Sequence, residues 1–297
     1  MSFQLRQTST IIHQLPFLGL LILSLSSVYH AHSQENQAYT AHGDSLLELS
    51  LFRFDSQPSE TLILFAHGGG FSAGSRLQVK NVVFCNALSQ KGIDVASIDY
   101  RLRQKQDGFH CDVPIKEKRE AIAWAAEDLL AAWVHLHKSG YKNVILAGSS
   151  AGAEAALYAA YHIKSEGVEG VISISGAMEP APSDAATIPL LAFHGECDQL
   201  VPYGEAIHHF CPEKSPGALL LQGGGALAHC SSQTRLVSYE NKGHELSAEL
   251  LSDAAVLNAI DVFIADIRSD SPIAQRTRVS SESDSPCPTP RNLGPCQ

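Results

Sequence analysis

Residues 143–152 read NVILAGSSAG, and this short stretch divides in two. Val144 to Ala147 is an apolar run of the kind that a parallel sheet buries on both faces. From Ser150 to Lys164 the chain is Ala-rich and helical in character. A strand that passes directly into a helix across Gly148-Ser149-Ser150-Ala151-Gly152 makes a very sharp turn. Its central residue adopts strained backbone geometry, and the positions two away on either side must be tiny. Ser150 sits at that centre, at a helix N-terminus that favours developing negative charge. It is the candidate nucleophile. The bland alternative is a helix cap, which Ser149 or Ser150 could also supply.

Outward from this turn, short apolar strands alternate with helices. Strands are expected over Leu46–Phe54, Thr61–Ala66, Ile93–Ile98, Asn143–Ala147, Val168–Ile174 and Leu190–Phe193. Helices are expected over Gln78–Gln90, Ile115–His137, Ser150–Lys164 and Glu245–Ile267, with Gly140 fitting the stop after the second. This alternation predicts an α/β fold with a mostly parallel central sheet and helices on both faces. No internal repeat is visible.

Three further motifs carry chemistry. His67-Gly68-Gly69-Gly70-Phe71 follows the strand TLILFA. Its glycines leave backbone N–H groups free to point into a site, so Gly69 and Gly70, with the N–H of Ala151, are the candidate oxyanion donors. His67 is expected to brace this loop rather than to act as a base. The Lys-Ser/Thr ending of a phosphate loop is missing. His194-Gly195-Glu196-Cys197-Asp198 lies just past another strand, where a carboxylate can reach a histidine and fix its tautomer. Asp198 is the choice and Glu196 the rival. Gly243-His244 precedes the last helix, and His244 is the candidate base. Ser150, Asp198 and His244 follow one another at spacings of 48 and 46 residues, each leaving room for about one βα unit. His208-His209 look like a metal pair, but adjacent helical residues face different ways, so they read as surface or packing residues.

The bulk properties frame these motifs. The chain has 297 residues, 44% apolar, with a formal charge of −10 that excludes a nucleic-acid partner. Residues 1–33 read as a signal peptide: Arg6, then the 11-residue run Leu15–Leu25, then Ala31-His32-Ser33. That run is too short to span a bilayer. The predicted organisation is therefore signal peptide 1–33, catalytic domain 34–268 and a Ser/Pro-rich, flexible tail 269–297. Seven cysteines fit an oxidising compartment, and the odd count leaves at least one unpaired within the chain. Cys197–Cys211 and Cys287–Cys296 would close short loops. The scattered cysteines exclude a structural zinc site, and no metal or cofactor is expected.

HGGGF (67–71), SIDYRL (97–102), GSSAG (148–152), HGECDQLVP (194–202) and GHE (243–245) together resemble the α/β-hydrolase superfamily. Within it they resemble the HGGG-type carboxylesterases related to hormone-sensitive lipases and bacterial feruloyl esterases. The resemblance runs from about residue 43 to 267. It implies the fold, a Ser150–Asp198–His244 triad and hydrolysis of a carboxylic ester without a cofactor. Ala153 departs mildly, since relatives often carry glycine there. Only 13 residues (175–187) lie where many lipases insert a cap, so no large cap domain is expected and the site should be open. By the same analogy the substrate is external, a small ester or one linked to a plant polysaccharide.

Gly43-Asp44-Ser45-Leu46 spells the signature of a different hydrolase family, but polar residues precede it and no Asp-x-x-His follows near the C-terminus. Rival readings are a serine peptidase of the same fold and a non-catalytic binding protein on the same scaffold. The first lacks room for a substrate-selecting domain, and the second would have lost a triad residue.

Overall fold

The computed structural model describes residues 33–43, 45–55, 58–181, 188–280, 287 and 292–296. The predicted leader lies outside this set except for Ser33.

Nine strands form the main sheet, in the order β1-β2-β4-β3-β5-β6-β8-β11-β12. They are β1 (Ser33–His42), β2 (Ser45–Arg53), β3 (Thr61–Ala66), β4 (Asp94–Ile98), β5 (Asn143–Ser149), β6 (Val168–Ile174), β8 (Leu190–Gly195), β11 (Thr234–Tyr239) and β12 (Gln275–Val279). β2 runs antiparallel to both of its neighbours, β1 and β4, and every other pairing is parallel. β3 is buried along its whole length because helices cover both its faces. Its side chains alternate between two cores. Leu62 and Leu64 pack with Leu129, Leu146 and Leu157 on one side, and Ile63 and Phe65 pack with Phe84, Ile145 and Phe263 on the other. The first side is covered by α2 (Ile115–Lys138) and α3 (Ala151–Tyr158), the second by α1 (Val79–Ser89) and α6 (Ala254–Arg268). The predicted α/β architecture is the observed one.

Differences fall at the edges. The polar stretch after the leader is strand β1, hydrogen-bonded to β2 and turning at Gly43. The single helix expected over 245–267 is interrupted: α5 (Leu246–Glu249) and a 3₁₀ turn end at Asp253. The Asp253 carboxylate then caps α6 by accepting from the N–H groups of Ala255 and Val256. A side sheet joins β7 (Ala177–Met178), which follows β6, to β10 (Leu220–Gly223) and β9 (Glu205–Ile207), which lie between β8 and β11 and are followed by α4 (Gly224–Cys230). These strands are two to four residues long, too short for periodicity to reveal.

The tail is not free where it is described. β12 adds to the sheet beside β11, and Arg278 grips Glu196 through Nε (2.6 Å) and Nη2 (2.7 Å). Farther on, the Asn292 carbonyl accepts from the Glu205 N–H (2.6 Å). Both proposed cysteine pairs are also corrected. The bonds are Cys111–Cys211, Cys197–Cys287 and Cys230–Cys296, with Cys85 buried as a thiol. Closing a long loop costs little more entropy than closing a short one, so sequence proximity was a poor guide. No helix among the described residues is long and apolar enough to cross a membrane.

Candidate active site

Ser150 stands between β5 and α3 with φ 52° and ψ −123°, a left-handed turn unusual for a residue with a side chain. Its N–H still bonds to Ile174 O of β6 (2.9 Å), so the strained residue is locked to the sheet. The two flanking glycines are required by close approach. A Cβ on Gly148 would overlap the backbone of Gly152, and one on Gly152 would overlap the carbonyls of Ala66 and His67. The Ser149 hydroxyl donates to the Ser247 carbonyl, tying this turn to the segment after His244.

The Ser150 Oγ lies 2.8 Å from His244 Nε2, and His244 Nδ1 lies 2.7 Å from Asp198 Oδ2. β8 delivers Asp198, and the loop after β11 delivers His244. The two loops are stitched by the Cys197 N–H bond to Lys242 O (2.8 Å). Gly195 permits this, because a Cβ there would overlap the carbonyls of Lys242 and Gly243. Asp198 is fully buried. Its Oδ1 accepts from the N–H groups of Leu200 and Val201, both at 2.9 Å. Burial alone would raise its pKa, but His194 and His244 outweigh it and hold the carboxyl well below the usual range. His194 Nε2 is 3.6 Å from Asp198 Oδ2 and bonds to Val201 O (3.1 Å), while its Nδ1 accepts from the Gly224 N–H (3.2 Å). Glu196, the rival acid, accepts instead from Ser238 and Arg278.

Gly69 (φ 127°) and Gly70 (φ 59°) bend the HGGG loop over Ser150. A Cβ on Gly69 would overlap Ala73 O, whereas one on Gly70 would meet no atom closer than 3.8 Å. Among the described residues none accepts a hydrogen bond from the N–H of Gly69, Gly70 or Ala151, and all three line one cleft of about 710 Å³ with Ser150 and His244. His67 is buried under this loop. Its Nδ1 bonds to Gly68 O (2.7 Å), and its ring stacks on Tyr100, whose hydroxyl donates to His67 O (2.8 Å). Burial lowers its pKa, so the imidazole braces the loop as a neutral group.

Three further residues line the cleft. Glu154, one turn along α3, is buried and lines the cleft. His208, which the sequence reads as a surface or packing residue along with His209, is buried and packs on Phe109. Both histidines line the cleft, on a 3₁₀ turn where His209 has φ 57°. A carboxylate four residues after the elbow serine was the available signal for Glu154. The described residues contain no group of three or more His, Cys, Asp or Glu side chains able to hold a metal.

Residues 63–200 match a family model described as the alpha/beta hydrolase fold, a span that includes the HGGG loop, the Ser150 turn and Asp198 and ends before His244. No curated protein sequence matches the chain. Among solved structures, it is similar to esterase 2 of Thermogutta terrifontis phosphoramylated by tabun (TM-score 0.58, 18% identity, covering 79% of this chain and 94% of that one). The propionate-bound form of the thermophilic esterase Est2 from that planctomycete gives TM-score 0.57 at 18% identity, with the same coverage. Its butyrate-bound form gives 0.57 at 17%, again covering 79% and 94%. With this strand order, this serine turn and this match across them, the chain has the α/β-hydrolase fold.

Proposed function

We propose that the protein is an exported serine carboxylesterase that hydrolyses a small carboxylic ester through an acyl-enzyme intermediate. Ser150 Oγ attacks the carbonyl carbon while His244 Nε2 takes its proton. Asp198 holds His244 through Nδ1 and stabilises the imidazolium. The N–H groups of Gly69, Gly70 and Ala151 bind the oxyanion. His244 then protonates the leaving alcohol, and a water activated by His244 releases the acid. No cofactor takes part.

The observation that carries this reading is the unbroken hydrogen-bonded chain from Ser150 Oγ through His244 to Asp198, at 2.8 and 2.7 Å. Support for the acyl class comes from the Thermogutta esterase structures, two of which bear the short acids propionate and butyrate. Support for export comes from the apolar leader and from three disulfides. The ester is free or carried on a polysaccharide. The test is labelling with a fluorophosphonate probe, followed by acetyl, butyryl, octanoyl and feruloyl esters. Labelling of wild type but not of Ser150→Ala, with hydrolysis of a short-chain ester, is expected. Full esterase activity in Ser150→Ala would overturn the reading.

A further inference from the structure

The cleft holds two polar side chains that the proposed reaction does not use. Glu154 is 2% exposed and His208 is 3% exposed, yet both line the cleft with Ser150. Glu154 Oε1 and His208 Nε2 are 3.5 Å apart, too far for a good hydrogen bond. Neither Glu154 Oε1 nor His208 Nδ1 has a hydrogen-bond partner among the described residues. Buried polar atoms are nearly always partnered, so two orphans in a ligand-sized cleft point to a group that arrives with the ligand.

The wall is built rather than incidental. The His208 N–H bonds to Leu219 O (2.8 Å) and the His209 N–H to Leu200 O (2.9 Å). Phe109 packs on the His208 ring edge-to-face, with centroids 4.9 Å apart. The Cys111–Cys211 disulfide ties the segment after His209 to the loop that carries Phe109. Lys118, also buried, lies 5.3 Å from the Phe109 ring and donates to Gly217 O (2.8 Å).

We propose that Glu154 and His208 form a polar subsite that binds a hydroxyl group of the ester substrate. A hydroxyl both donates and accepts, so it suits a carboxyl and an imidazole that stand side by side. A cation would face the Lys118 ammonium. A plain hydrocarbon would leave both polar atoms unpaired, which is how such a site discriminates. Burial, only partly offset by Lys118 and reinforced by Asp198, lifts the Glu154 pKa to about 8. The carboxyl is therefore largely protonated near neutral pH and able to donate.

This inference rests on the esterase reading, and its test separates the two. Two matched pairs are assayed by pH-stat: p-nitrophenyl butyrate against p-nitrophenyl 3-hydroxybutyrate, and ethyl butyrate against 2-hydroxyethyl butyrate. The first pair places the hydroxyl on the acid and the second on the alcohol. Wild type is expected to favour the hydroxylated member of one pair by about 10-fold or more in kcat/KM. That preference falls to about 1 in Glu154→Leu and in His208→Phe. The ratio is internal to each protein, so a general loss of activity does not move it. If Glu154→Leu fails to fold, His208→Phe carries the test. A wild-type ratio near 1 in both pairs, or a preference that survives the substitutions, overturns the subsite. Absence of any hydrolysis together with absence of fluorophosphonate labelling overturns the esterase reading instead.

Discussion

Asp198 and His244 are held at 2.7 Å by a carboxylate whose other oxygen is already saturated by two backbone N–H groups. The acid thus presents one fixed oxygen to the imidazole. Asp198→Asn keeps the shape but turns His244 towards the wrong tautomer, and a loss in kcat of about 10⁴-fold is expected. Ser150→Ala and His244→Ala each cost about 10⁶-fold, and the double variant loses little more, because the residues act as a unit. Steady-state kinetics on a p-nitrophenyl ester reads all four proteins.

Gly152 meets the carbonyls of Ala66 and His67 where β3 ends. Gly152→Ala is expected to cost about 3 kcal/mol of stability through overlap with backbone that cannot move aside. It also shifts the Ser150 turn, so activity falls more than stability alone explains. Chemical denaturation alongside kinetics separates the two losses.

Glu154 gives the fold a pH dependence of definite sign. Its pKa rises from an ordinary 4.5 to about 8 in the folded chain, so between those values the native state holds more protons than the unfolded state. Stability from this group therefore falls as pH rises through that window, then levels off. Glu154→Gln has no such group. The Tm difference, Gln variant minus wild type, should grow from pH 5 to pH 8 and then flatten. A constant difference would contradict the raised pKa. Asp198 acts oppositely: its depressed pKa contributes stability that is complete above the ordinary carboxylate range and lost as pH falls below it.

Cys197 precedes Asp198, so the Cys197–Cys287 bond anchors the acid's turn to the tail. Cys287→Ser is expected to lose about 2–4 kcal/mol of stability. It also lowers kcat while leaving fluorophosphonate labelling of Ser150 detectable. Ser45→Ala, by contrast, should keep full activity, since Ser45 is an exposed residue at the start of β2.

The centre of this fold was legible because β3, β5 and β8 are buried on both faces nearly from end to end and so are mostly apolar. The residues of the Ser150–His244–Asp198 chain were legible because each sits in a glycine-marked turn after a strand. The edges were not. β1 is polar because it is solvent-facing and held mainly by its ladder to β2. Gly223 and Gly225 look like turn residues. In the structure they admit close contacts: a Cβ would overlap Pro202 O at the first and the Tyr203 ring at the second. Glu154 and His208 escaped because the position of Glu154 four residues after Ser150 says nothing of a partner 54 residues away.

The strand β12, QRTRV, is exposed at every position, and it lies over the outer edge of β11, TRLVSY. A chain ending before Gln275 would leave that more apolar strand with open hydrogen-bonding groups, an invitation to pair with another molecule. In the intact chain the outermost strand instead presents Arg276 and Arg278. A margin lined with long charged side chains is a poorer template for a second copy than the more apolar edge of β11 that it covers.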